Sequence, residues 1–71
     1  MTSEIKANMT GVVFQIPVAV GDQVNQGDPI VILESMKMEI PVEAPRAGVV
    51  RELRVQEGAT VQEGDIIARL D

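Results

Sequence analysis

Two stretches decide the fold: GDQVNQGDPIVIL, from Gly21 to Leu33, and GATVQEGDIIARL, from Gly58 to Leu70. They lie 37 residues apart, and that offset extends outward without a gap. Ala7 to Glu34 overlays Ala44 to Asp71, with 11 of 28 positions identical. All six glycines fall into three matched pairs, Gly11/Gly48, Gly21/Gly58 and Gly27/Gly64. Glycine alone enters positive φ freely, so matching every glycine matches the tight turns. The chain holds two copies of one substructure.

Each copy reads as strands. Gly11 to Ile16 and Gly48 to Val55 are rich in β-branched residues. Ile30 to Leu33 is continuously apolar, which predicts a strand buried on both faces. Val24 and Val61 each sit between two glycines and are expected to plug the core. Asp28 and Asp65 each follow a glycine, a pattern of turn chemistry. Pro17, Pro29, Pro41 and Pro45 argue against any long helix. One copy cannot bury its own apolar face, but two related by a pseudo-twofold axis can. The expected fold is all-β, a single domain over residues 1–71. About eight short strands form a flattened sandwich or barrel of two four-stranded antiparallel sheets. Copies 7–34 and 44–71 are joined by a segment, 35–43, that matches nothing. That segment is expected to form a tight hairpin at one end, on or near the axis, with both termini at the other end.

Composition excludes most chemistries. The 71 residues contain no Cys and no His, which removes disulfides, Cys/His zinc sites and His-dependent catalytic pairs. Trp and Tyr are absent and Phe occurs once, so stacking platforms for single strands are missing. The net charge of -5 repels phosphate backbones, which argues against a nucleic-acid partner. Ile30 to Leu33 is the longest apolar run, far short of a membrane span. No targeting pattern precedes the first copy. The expectation is a cytoplasmic protein with no membrane partner, a monomer in isolation.

The joining segment reads Ser35-Met-Lys-Met-Glu-Ile-Pro-Val-Glu43. A hairpin turning at Met36-Lys37 presents one lysine at an exposed tip. Lysine is scarce, only Lys6 and Lys37. Its amine can be acylated, which arginine cannot offer in this way. On its own Lys37 reads as an ordinary turn lysine, but the flanking methionines change that reading. Met36 and Met38 stand where polar turn residues belong. They serve as soft, adaptable contacts for partners, or one or both fold inward to cap the core, and the same residue can do both. Glu34, Glu39 and Glu43 are expected near the tip, as solvated edge charges or partner contacts.

Glu34-Ser-Met-Lys-Met-Glu39 resembles the attachment sequence of the biotinyl domain family, whose usual core is Ala-Met-Lys-Met. The resemblance covers nearly the whole chain, including the Gly-Asp turns and Ala44-Pro-Arg-Ala-Gly48. With repeats reaching almost to both ends, it resembles the freestanding biotin carboxyl carrier or biotin/lipoyl attachment proteins, not a fragment of a long carboxylase. Ser35 stands where Ala is usual, and the gapless repeat leaves no room for the protruding thumb of some members. The resemblance implies a barrel-sandwich hybrid of swapped-hammerhead type. It further implies covalent biotin on Lys37, with Glu34, Ser35, Met36, Met38 and Glu39 as recognition residues. The implied partners are a biotin protein ligase, a biotin carboxylase and a carboxyltransferase. In this reading the chain is a non-catalytic carrier, not an enzyme. One rival is a lipoyl domain, an acyl carrier of 2-oxo acid dehydrogenases, whose usual motif is Asp-Lys-Ala. Another is an unmodified structural β-module.

Overall fold

Eight strands and the turns between them make up residues 3–71, which the computed structural model describes. Met1 and Thr2, part of the single-domain reading, lie outside the described residues. The strands are β1 (Ser3–Lys6), β2 (Gly11–Gln15), β3 (Gln23–Val24), β4 (Pro29–Ser35), β5 (Met38–Glu43), β6 (Gly48–Leu53), β7 (Thr60–Val61) and β8 (Ile66–Leu70). They form two antiparallel sheets, β1-β8-β6-β3 and β5-β4-β2-β7, in a body 33 × 17 × 17 Å. The all-β sandwich of two four-stranded sheets is the fold expected from the repeat.

Shifting by 37 residues turns one sheet order into the other. β1 falls on the second half of β5, β8 on β4, β6 on β2 and β3 on β7. The structural repeat therefore extends one strand further than the residue match, because Ser3–Lys6 and residues 40–43 share alternation without identity. The 14 buried apolar residues among those described form seven pairs at this offset: Ile5/Val42, Ala7/Ala44, Val13/Val50, Val24/Val61, Ile30/Ile67, Val31/Ala68 and Leu33/Leu70. Each sheet takes strands from both halves, so neither half can close a sheet alone. Hydrogen bonds between the halves repeat the exchange. Ala7 N–H donates to the Asp65 carbonyl at 2.8 Å, and Ala44 N–H to the Asp28 carbonyl at 2.8 Å.

The paired turns work as expected. Asp28 Oδ2 accepts from Asn25 N–H at 2.8 Å, and Asp65 Oδ2 from Gln62 N–H at 2.8 Å. Gly27 and Gly64, at φ +90° and +93°, supply the left-handed residue just before each aspartate.

Two expectations are corrected. Ile30, Val31 and Leu33 are buried, but Ile32 is half-buried and lies outside the core cluster. Successive burial covers only Ile30 and Val31, beside the register shift in the β4–β5 ladder; at Ile32 the two-layer sandwich leaves the outer face of β4 open, so the run is not buried on both faces along its length. The hairpin is also not on the axis. An element on the axis must map onto itself, whereas the shift carries the β4–β5 turn onto the ends of β8 and β1. There Ser3 pairs with Leu70. The operation exchanges hairpin end and terminus end. At the terminus end Arg46 provides the link that the turn provides at the other: Nε donates to Ser3 Oγ at 2.8 Å and Nη1 to the Asp71 carbonyl at 2.9 Å.

Candidate functional site: the β4–β5 hairpin

The last pair of the β4–β5 ladder is Ser35 with Met38, leaving Met36-Lys37 as a two-residue loop. Both loop residues have positive φ, 52° and 64°. Two left-handed residues in a two-residue loop make a type I′ turn, whose twist matches that of the strands it joins. Asn-Gly is the usual choice there, because a side chain with a full Cβ substituent is strained in this region. The cost is about 1–2 kcal/mol per residue. The ladder beneath overrides it. Leu33 pairs with Ile40 and Val31 with Val42, with Leu33, Val31 and Val42 buried.

The tip is open to solvent. Met36 is 92% exposed and Met38 61%. The alternative in which they cap the core is thereby removed, because the ladder carries the turn beyond Leu33, the last buried residue of β4. Lys37 is exposed and forms no hydrogen bond or ion pair among the described residues. Glu34 and Glu39 are direct cross-strand partners, both exposed and without a cation partner among the described residues. Like charges placed so are mildly destabilising. Ser35 is half-buried beneath the turn. Glu43 does not belong to the tip. It pairs with Pro29 at the far end of β5, five residues from Met38, or about 17 Å along the strand.

Strained backbone, exposed apolar side chains and facing carboxylates all coincide within the hairpin tip, residues 34–39. None of them stabilises the fold, which marks the tip as the place where the chain departs from its own stability. One neighbour carried no motif in the sequence. Val12, the partner of Glu34 on β2, is exposed beside the site. The identical Val12/Val49 pair could have pointed to it only through strand parity. A groove of about 710 Å³ lined by residues such as Arg54, Thr60 and Asp65 includes none of residues 34–39.

Residues 2–70 match the family described as "Biotin-requiring enzyme". The chain belongs to the biotin/lipoyl attachment family. A biotin/lipoyl attachment protein of Bacillus subtilis is 44% identical over 66 residues, covering 93% of this chain and 90% of that protein. A homologue of the biotinylated protein TB7.3 from Mycobacterium leprae is 46% identical over 68 residues, covering 96% of both. Among solved structures, the Kluyveromyces lactis urea carboxylase superposes with a TM-score of 0.94 at 32% identity. It covers 100% of this chain, which spans 6% of that one. The family membership and the biotinyl-domain fold agree with the sequence resemblance, and the freestanding relatives match this chain along nearly their whole length.

Proposed function

We propose that Lys37 is the covalent attachment site for biotin, and that the chain is the carboxyl carrier of a biotin-dependent carboxylase. The observation that carries this is the Met36-Lys37 turn. It holds an unpaired lysine at the end of a rigid ladder, in a backbone conformation the sequence does not favour. The family supports the cofactor, and a carboxylase among the structural neighbours supports the partners. A biotin protein ligase presents biotin as its adenylate. The Lys37 Nζ, as the neutral amine, attacks the acyl carbon, the N–C bond forms, the bond from the acyl carbon to the phosphate oxygen breaks, AMP leaves, and a proton is lost from nitrogen. Among the described residues Lys37 carries no ion pair that must first be broken, so the ligase has only to desolvate and deprotonate it. Once attached, biotin supplies the ureido nitrogen that accepts and releases a carboxyl group.

The chain's contribution is placement. The ladder fixes the base of the arm, while the lysine stem and biotin chain remain flexible. The tethered group thus reaches a biotin carboxylase and a carboxyltransferase in turn at high effective concentration. Met36 and Met38 offer each partner a soft apolar contact beside the lysine. Ser35 keeps its small volume under the turn, so modification proceeds with Ser in place of Ala. In this account the chain is a cytoplasmic monomer that catalyses no step itself.

The test is labelled bicarbonate with ATP and purified biotin carboxylase. Label is expected on the biotinylated chain and is expected to pass to an acyl-CoA when carboxyltransferase is added. A Lys37→Arg chain is expected to take none. Label without Lys37, or a lipoyl group on Lys37 that serves a 2-oxo acid dehydrogenase, would overturn the reading.

A further inference from the structure

The chain holds no Cys, His, Trp or Tyr, so its readily oxidised side chains are the four methionines, Met1, Met9, Met36 and Met38. Met1 lies outside the described residues. Met9 is half-buried and packs against the core cluster. Met36 and Met38 are exposed and stand on either side of Lys37 at the end of the hairpin. A small oxidant in solvent therefore meets two open thioethers, and both flank the amine on which the carrier reading depends.

What oxidation does depends on where the sulfur sits. A sulfoxide is polar, and inside a core it disrupts packing. At the tip there is no packing to disrupt, since Leu33 is the last buried residue of β4 and neither Met36 nor Met38 belongs to the core cluster. The fold survives, and the sulfoxide stays where a reductase can reach it. The change is confined to the surface around Lys37, where two effects act in one direction. The soft apolar contact becomes polar and hydrated, so a partner closing on the tip must strip water from it. The sulfoxide oxygen is also a hydrogen-bond acceptor beside an ammonium that has no hydrogen bond or ion pair among the described residues. A hydrogen bond to the charged form favours that form, whereas acylation needs the neutral amine.

We propose that Met36 and Met38 are sites of reversible sulfoxidation, which turns Lys37 from a readily acylated into a poorly acylated lysine. The oxidant is hydrogen peroxide. A sulfur lone pair attacks one peroxide oxygen, the S–O bond forms, the O–O bond breaks, the sulfur is oxidised, and the other oxygen leaves as water. A thiol-dependent sulfoxide reductase reverses the step: the oxygen leaves as water with the protons of its thiols, which close to a disulfide. The consequence for Lys37 rests on the carrier reading, whereas the preference for Met36 and Met38 over Met9 rests on exposure alone.

The test begins with intact mass of the unoxidised full chain after treatment with a biotin protein ligase. Absence of biotin on Lys37 overturns the carrier reading and the switch with it. A second portion of the unmodified chain is treated with hydrogen peroxide, freed of peroxide by gel filtration and mapped by peptide mass. Met36 and Met38 are expected to gain oxygen at least about fivefold faster than Met9, with the far-UV circular dichroism and the unfolding midpoint unchanged. The ligase kcat/KM for this oxidised chain is expected to fall at least about fivefold, and to return after reduction by sulfoxide reductases specific for each epimer. A chain carrying Met36→Leu and Met38→Leu together is expected to show one ligase rate before and after peroxide. A Met9→Leu chain is expected to lose rate on oxidation as the parent does. Three results overturn the switch and leave the carrier reading standing: Met9 oxidising as fast as the tip methionines, a ligase rate that oxidation leaves unchanged, or a peroxide-induced loss in the doubly substituted chain.

Discussion

Replacing Met36 by Asn is expected to stabilise the protein. Met36 sits at φ 52° in the first position of the type I′ turn, a conformation that costs a non-glycine residue about 1–2 kcal/mol. Asn adopts the left-handed region far more readily, because its short polar side chain bonds locally to the backbone. At 92% exposure the methionine forfeits almost no burial when removed. The net gain is about 1 kcal/mol, a factor of about five in the unfolding equilibrium. For a domain of this size that raises Tm by roughly 4–8 °C. Urea and thermal unfolding of parent and Met36→Asn, followed by far-UV circular dichroism, measure it directly. The same variant is expected to be biotinylated several-fold more slowly, since the ligase loses an apolar contact beside the lysine. A variant no more stable than the parent would refute the reasoning. It would mean that the turn is not strained, or that the Met36 side chain packs where the structure leaves it exposed.

Three further outcomes follow from the fold. Asp28→Ala and Asp65→Ala each remove one carboxylate-to-amide cap, and equal losses of about 1 kcal/mol are expected in denaturant titrations; unequal losses would show that the two turns are not equivalent. A Cβ on Gly11 would lie 2.9 Å from the Glu34 carbonyl oxygen, so Gly11→Ala is expected to force β2 and β4 apart at a cost of about 1–3 kcal/mol. Cross-peaks of Glu34 and Ser35 would move with it. Peptides spanning 1–36 and 37–71 are each expected to be unfolded alone and to regain the sheet signal when mixed, because every sheet draws strands from both halves. A folded half on its own would contradict the strand exchange.

The glycine pairs and the 37-residue offset made the architecture legible, because turns and buried positions repeat together. What escaped the sequence had local causes. β5 went unmatched because Ile5/Val42 is the only buried pair it shares with β1, and alternation over four residues is a weak signal. An unbroken apolar run hides the orientation of Ile32, although its mate at the 37-residue offset is a charged Arg69, a residue type that favours the outer face. The exposure of Met36 and Met38 could not be read from their type, since methionine suits both core and surface. Closeness in sequence puts Glu43 near the tip, whereas an extended strand carries it to the far end of the ladder. The place of Lys37 at the tip is legible because the segment between the copies must reverse direction between a strand ending near Glu34 and one beginning at Met38.

The most direct measurement of the central claim is intact mass followed by peptide mapping of the chain after reaction with a biotin protein ligase. The account predicts one biotinyl group on Lys37, none on Lys6, and none on a Lys37→Arg chain of unchanged fold. Biotin elsewhere, or no acylation of a well-folded chain by either a biotin or a lipoyl ligase, would contradict it.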